Sequence, residues 1–82
     1  MKQSEVEVFI DDIGKRIREL RKERNMTQLD LATISDIDER QVQRLERGHT
    51  SATLKTLLKI TNGLNVNFLE FFEFINKTEN KK

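Results

Sequence analysis

Arg40, Gln43, Arg44 and Arg47 fall within one short stretch, ERQVQRLER over positions 39–47, whose only strongly apolar residues are Val42 and Leu45. Wound as an α-helix at about 100° per residue, the two aliphatic side chains share a face, and the three arginines and the glutamine project almost directly away from it. A guanidinium is planar, permanently charged and carries its N–H donors in a fixed fork, which suits it to phosphate oxygens and to the O6 and N7 atoms of guanine. A helix that gives its own domain two aliphatic residues and turns such a row outward is fitted to a polyanion. Taken by itself, the row reads as a solvated helix face, where most exposed arginines belong. The elements around it decide between the two.

Other chemistries lack their residues. There is no cysteine, which excludes disulfides and thiolate metal sites. His49 is the only histidine, so a histidine-rich metal cluster is excluded and neither an enzyme nor a cofactor is expected. No apolar run approaches the roughly 20 residues needed to span a bilayer, and the start, MKQSEVEVF, has no secretory apolar core. A cytoplasmic location with no membrane contact is the expectation. The net charge of +1 hides an asymmetry: −3 over residues 1–14, +4 over 15–59 and zero over 60–82. A phosphate backbone responds to the local distribution rather than the total.

The elements follow from periodicity. No proline, three glycines and 35% charged residues in an 82-residue chain favour one all-α domain of short amphipathic helices over 1–82. The spacing predicts a first helix over about 9–24, with Ile10, Ile13, Ile17 and Leu20 as its buried stripe and Asn25-Met26 as its break. The preceding Glu5-Val6-Glu7-Val8 segment is not assigned. Thr27 caps a second helix, with Asp30 in a capping-box position and Leu31, Ala32 and Ile34 packing inward. Ala32 is small because the next helix meets this one at a steep angle. Asp38 caps the third helix through its side-chain oxygen, and Gly48 ends it at a position suited to positive φ. A fourth helix follows Thr53, buries Leu54, Leu57, Leu58 and Ile60, and ends at Asn62-Gly63. The fifth, capped by Asn67, covers about 67–77 and leaves 78–82 as a frayed polar tail.

The segments IGKRIRELRKERNMTQLDLA, VQRLERG and TLKTLLKITNGLNV, spread over about residues 10–72, resemble the phage-repressor-like helix-turn-helix family, the lambda repressor-like domains that include Cro/C1-type regulators. The specific part is the combination of Arg18 and Arg21, Thr27-Gln28 and Leu31-Ala32 with a later Leu45-Glu46-Arg47-Gly48. The resemblance implies a compact five-helix domain with a central helix-turn-helix over about 27–47. It implies a DNA phosphate contact for Gln28, base-reading positions for Glu39, Arg40 and Arg44, a flanking phosphate contact for Arg47, and an Arg21–Glu46 ion pair.

Gln43 can reach either a base edge or a phosphate and is grouped with the base-reading residues. Glu39 has three readings of equal standing: it favours the positive helix N-terminus, holds Arg40, or accepts from cytosine N4. His49, Thr50 and Ser51 follow the third helix, where loop N–H groups and hydroxyls meet phosphates. Two positions depart from the family pattern. Asp36 stands where glycine is usual, at an expected strain of about 1 kcal/mol, and Ala52 stands where proline is common.

Four of the five phenylalanines fall in the fifth helix. Phe68, Phe71, Phe72 and Ile75 form one stripe, Leu69 and Phe74 flank it, and only Glu70 and Glu73 are polar. A terminal helix this apolar is hard to bury in a small monomer, so homodimerisation through Leu69, Phe72, Phe74 and Ile75 is expected. The alternative is a monomer whose Val6, Val8 and Phe9 cover the flanks.

The reading that follows is a sequence-specific transcriptional regulator, a homodimer on a palindromic double-stranded operator, with its recognition helix in the major groove. A protein partner is not identified by the sequence, a toxin and RNA polymerase being the two candidates. Its short length and direct run into a dimer helix are similar to restriction–modification controller proteins. Two rivals stand beside it: an antitoxin that autoregulates its promoter and binds a toxin, and an interaction module whose third helix binds an acidic protein.

Overall fold

Val6, Ile10, Ile13, Ile17 and Leu20 recur at a helical spacing, and they form the inner stripe of α1 (Gln3–Glu23) in the computed structural model, which describes residues 2–48 and 50–73. Expectations resting on His49, Phe74, Ile75 and the 78–82 tail lie outside the described residues. The helix starts six residues before the expected 9. The stripe extends one turn further back through half-buried Val6, and the Glu5 carboxylate accepts from the Lys2 N–H at 2.8 Å to cap the entry. Burial deepens along the stripe, from half-buried Ile10 and Ile13 to Ile17 at 0% exposure.

Four further helices follow: α2 (Gln28–Ser35), α3 (Glu39–Arg47), α4 (Leu54–Gly63) and α5 (Phe68–Phe71), with no strand among the described residues. The joints use residues that tolerate the left-handed region: Asn25 at φ 56°, Asp36 at 57°, Asn65 at 57° and Gly48 at 82°. The arginine after α1 ties two distant ends together. Arg24 donates from Nε to the Leu64 carbonyl, beyond α4, and from Nη1 to the Leu20 carbonyl.

One core draws on every element. Ile17 and Leu20 of α1, Leu31 and Ala32 of α2, Val42 and Leu45 of α3, Ile60 of α4, Leu64 just beyond it and Phe71 of α5 pack as a single cluster. The α1–α3, α2–α3 and α2–α4 pairs carry most of the packing. Gly14 sits where α1 and α3 come closest: a Cβ there would overlap the Leu45 carbonyl oxygen. Glycine is costly inside a helix, by about 1 kcal/mol relative to alanine, and at this position it sets the depth to which α3 docks.

Three sequence expectations are corrected here. α4 turns Leu57, Ile60 and Thr61 inward, whereas Leu54 is 63% and Leu58 47% exposed. The core-facing stripe is the 57–60–61–64 series, and its i, i+3, i+4, i+7 spacing leaves 54 and 58 on another face. Ile34, expected to pack, is 61% exposed, because α2 is held by Leu31, Ala32 and Ser35. Asp38 makes no side-chain capping bond, although it occupies the N-cap of α3.

Candidate nucleic-acid interface

The eight residues of α2 end where the chain must turn sharply into α3. Asp36 makes that turn in the left-handed region, at φ 57° and ψ 49°, where glycine is free of the Cβ penalty. Two contacts support the non-glycine residue. The Ile37 N–H donates to the Ala32 carbonyl at 3.0 Å, and Lys59 Nζ donates to the Asp36 carbonyl at 3.3 Å while standing 3.8 Å from its carboxylate. The departure from the glycine pattern is therefore accommodated, and the turn is closed.

α3 is anchored by Val42, 0% exposed, and Leu45, 4% exposed. Arg40, Arg44 and Arg47 on its far side are exposed, and none has an ion pair or hydrogen bond among the described residues. Gln43 is half-buried beside them, and Glu39 is exposed in the first turn. Three permanent cations thus share one exposed face of α3 with no counter-charge paired to them among the described residues. Thr50 and Ser51 are exposed in the loop that follows. Gly48 closes α3 at positive φ, its N–H donating to the Leu45 carbonyl at 3.1 Å.

A second set of donors lies at the start of α2. Thr27 and Asp30 form a reciprocal capping box: Thr27 Oγ1 accepts from the Asp30 N–H at 3.0 Å, and an Asp30 carboxylate oxygen accepts from the Thr27 N–H at 2.9 Å. These bonds hold the Asp30 carboxyl below the usual carboxylate range, the backbone bond contributing most. The box leaves the backbone N–H groups of Gln28 and Leu29 without a partner among the described residues. Such orphan donors, on the positive end of the helix dipole, make a ready anion site.

Beside them stands a buried network that joins three helices. Arg21, from α1, donates from Nε to Glu46 Oε2 at 2.7 Å and from Nη2 to Oε1 at 3.0 Å, and its Nη1 reaches the Met26 carbonyl at 2.8 Å. The two side chains are 10% and 5% exposed. The hydrogen bond to Glu46 raises the Arg21 pKa against the opposing effect of burial, so the guanidinium stays charged. Gln28 Nε2 also donates to Glu46 Oε1, at 3.2 Å. The ion pair expected from the resemblance is present, and the same carboxylate holds the side chain expected to meet phosphate.

The C-terminal residues divide. Phe71 is fully buried, while half-buried Phe72 stacks on Phe9 at 6.2 Å and meets the edges of Phe68 and Phe71 at 5.1 Å each. Phe72, expected at an interface between copies, thus spends much of its ring within the protomer, where the early turns of α1 cover it. Val8 is not part of that cover, at 58% exposure. Leu69 is left 77% exposed.

One residue and one contact that matter to the site were missed in the sequence. Gly14 was legible as a lone glycine inside a helical pattern, a usual mark of close approach. The bond from Gln28 to Glu46 had no sequence signal, because it depends on how α2 and α3 cross. Among the described residues, no group of histidine, aspartate and glutamate is placed to hold a metal ion, and no helix is long and apolar enough to cross a membrane.

A helix-turn-helix family model matches residues 17–71 of the chain. Among solved structures, the restriction-modification controller protein C.AhdI from Aeromonas hydrophila is 32% identical with a TM-score of 0.76, over 79% of this chain and 98% of that one. The wild-type restriction-modification controller protein C.Esp1396I is 34% identical with a TM-score of 0.80, over 89% and 95% of the two chains. A transcriptional regulator of the same family model from Vibrio cholerae is 31% identical with a TM-score of 0.78, over 83% of this chain and 38% of that one. Curated proteins provide no match.

Proposed function

The chain belongs to the helix-turn-helix family of Cro/C1-type regulators, DNA-binding transcription factors rather than enzymes, and from that premise we propose that it binds a palindromic operator as a homodimer and acts as a controller-type regulator. α3 enters the major groove. Arg40 and Arg44 read base edges there with Gln43 and Glu39, and each well-made arginine–guanine pair discriminates by about 1–3 kcal/mol. Arg47, Thr50, Ser51 and His49 meet phosphates on one side of the groove. Gln28 and the open N–H groups of α2 meet them on the other.

The observation that carries this reading is the row of three exposed, unpartnered guanidinium groups on the helix that follows the turn. Arg21, by contrast, is spent inside the fold on its buried pair with Glu46. Glu39 costs affinity, since a carboxylate repels nearby phosphates, and in return favours sites that offer it a cytosine amino group. The exposed Leu69 supports dimerisation through α5, with Phe74 and Ile75 proposed to extend the same interface. Two copies related by a two-fold axis would present their α3 helices to half-sites about one turn of DNA apart, roughly 10 base pairs centre to centre.

The test is selection of bound duplexes from a random pool by the full chain. An inverted repeat with that spacing is expected, and substitution of Arg40 and Arg44 together by alanine should abolish the enrichment. A pool that stays unenriched at low salt would overturn the reading.

A further inference from the structure

We propose that Glu46 is a positioning residue for DNA binding: it holds the Gln28 side-chain amide in place so that the start of α2 meets a phosphate with its donors already arranged. The inference rests on the phosphate role proposed above for Gln28. Glu46 makes no approach to DNA of its own, since its side chain is 5% exposed in the last turn of α3. What it does is accept three hydrogen bonds from two other helices.

The two bonds from Arg21 already form a bidentate fork that satisfies the carboxylate. The third, from Gln28, is therefore not needed to keep Glu46 buried, and its consequence falls on the glutamine. A glutamine at the first position of a helix has several free rotamers, and ordering them opposes any binding that requires one. Bound at 3.2 Å to Glu46, the amide is ordered before DNA arrives. One amide N–H is engaged, and the other, like the backbone N–H groups of Gln28 and Leu29, has no partner among the described residues. The first turn of α2 thus keeps three donors open for an anion.

Arg21 completes the device electrostatically. A lone carboxylate this near the start of α2 would repel the phosphate that Gln28 is there to meet, whereas the Arg21–Glu46 pair is neutral as a unit. α1 supplies the neutralising charge, α3 the orienting oxygen and α2 the donor. The contact thereby reports the mutual placement of all three helices.

The experiment is a double-mutant cycle in the full chain, read as Kd for the selected operator duplex at fixed salt, with thermal melting as the control for folding. Arg21→Met combined with Glu46→Leu removes both charges together, so no unpaired ion is left buried. Gln28→Ala should weaken binding about tenfold in the otherwise unaltered chain, and less than about twofold where the pair is replaced. The same cost in both backgrounds would leave the phosphate role standing and overturn the positioning role. No cost in either would overturn the phosphate role and the inference with it. A second measurement needs no variant that must fold. NMR relaxation of the Gln28 side-chain amide in the free protein should show order close to that of the backbone, and mobility like that of exposed Gln3 would also overturn the proposal.

Discussion

Single side chains on this domain divide sharply between those committed to the fold and those left for a partner, and the arginines show it best. Arg21 is buried and paired, Arg24 is spent on two backbone carbonyls, and Arg40, Arg44 and Arg47 have no partner among the described residues. The last three should separate by role. Arg44→Ala should cut the ratio of operator to random-DNA affinity by about tenfold or more, as expected for a lost base contact. Arg47→Ala should weaken both alike and reduce the slope of log affinity against log salt by about 1. Anisotropy titrations on the two duplexes at several salt concentrations measure both. Asp36 allows a prediction of opposite sign. Its left-handed backbone carries a Cβ penalty, and its carboxylate is 98% exposed beside Lys59, so little is lost with the side chain. Asp36→Gly should stabilise the domain by about 0.5–1 kcal/mol, seen as a melting temperature higher by roughly 2–8 °C.

The elements are short, and their stability comes from ends and close approaches more than from length. Gly14 is the tightest of these approaches. Gly14→Ala would gain about 1 kcal/mol of helix propensity, but it places a methyl against the Leu45 carbonyl of α3, which no rotamer change can relieve. Overpacking of this kind costs about 1–3 kcal/mol and is expected to win. The variant should melt below the native chain and, because α3 must shift, bind operator more weakly.

The capping box of α2 makes a pH-dependent contribution. Asp30 has a folded pKa below its unfolded value of about 3.9, so its contribution is complete above that pH and is lost as pH falls through the depressed folded value. The gap in melting temperature between the native chain and Asp30→Asn should therefore narrow as pH is lowered from about 6 to 3. A constant gap would show that the bonds at Thr27 add nothing that titrates.

For the whole molecule, the proposed function depends on pairing two copies. Leu69 gives that proposal a clean test, because a side chain 77% exposed in the protomer can be changed without opening the core. Sedimentation at micromolar concentration should give a mass of roughly twice 9.7 kDa for the native chain and 9.7 kDa for Leu69→Lys, with melting of the protomer little changed. Operator affinity should fall with the mass. A native mass of 9.7 kDa would remove the homodimer from the proposal and leave the family assignment untouched.

Much of this protein was legible in the chain because the relevant physics is local. The five helices, the joints at Asn25, Asp36 and Gly48, the capping box at Thr27 and Asp30, and the outward row on α3 all follow from side-chain periodicity and backbone preference over a few residues. The tertiary structure decided what depends on helices meeting. It settled which face of α4 is inward, how far back α1 begins once Phe9 packs on Phe72, and which carboxylate receives the Gln28 amide. Burial and long-range hydrogen bonds are set by the angle and depth at which separate helices dock, and Gly14 shows that one missing Cβ can set that depth from thirty-one positions away.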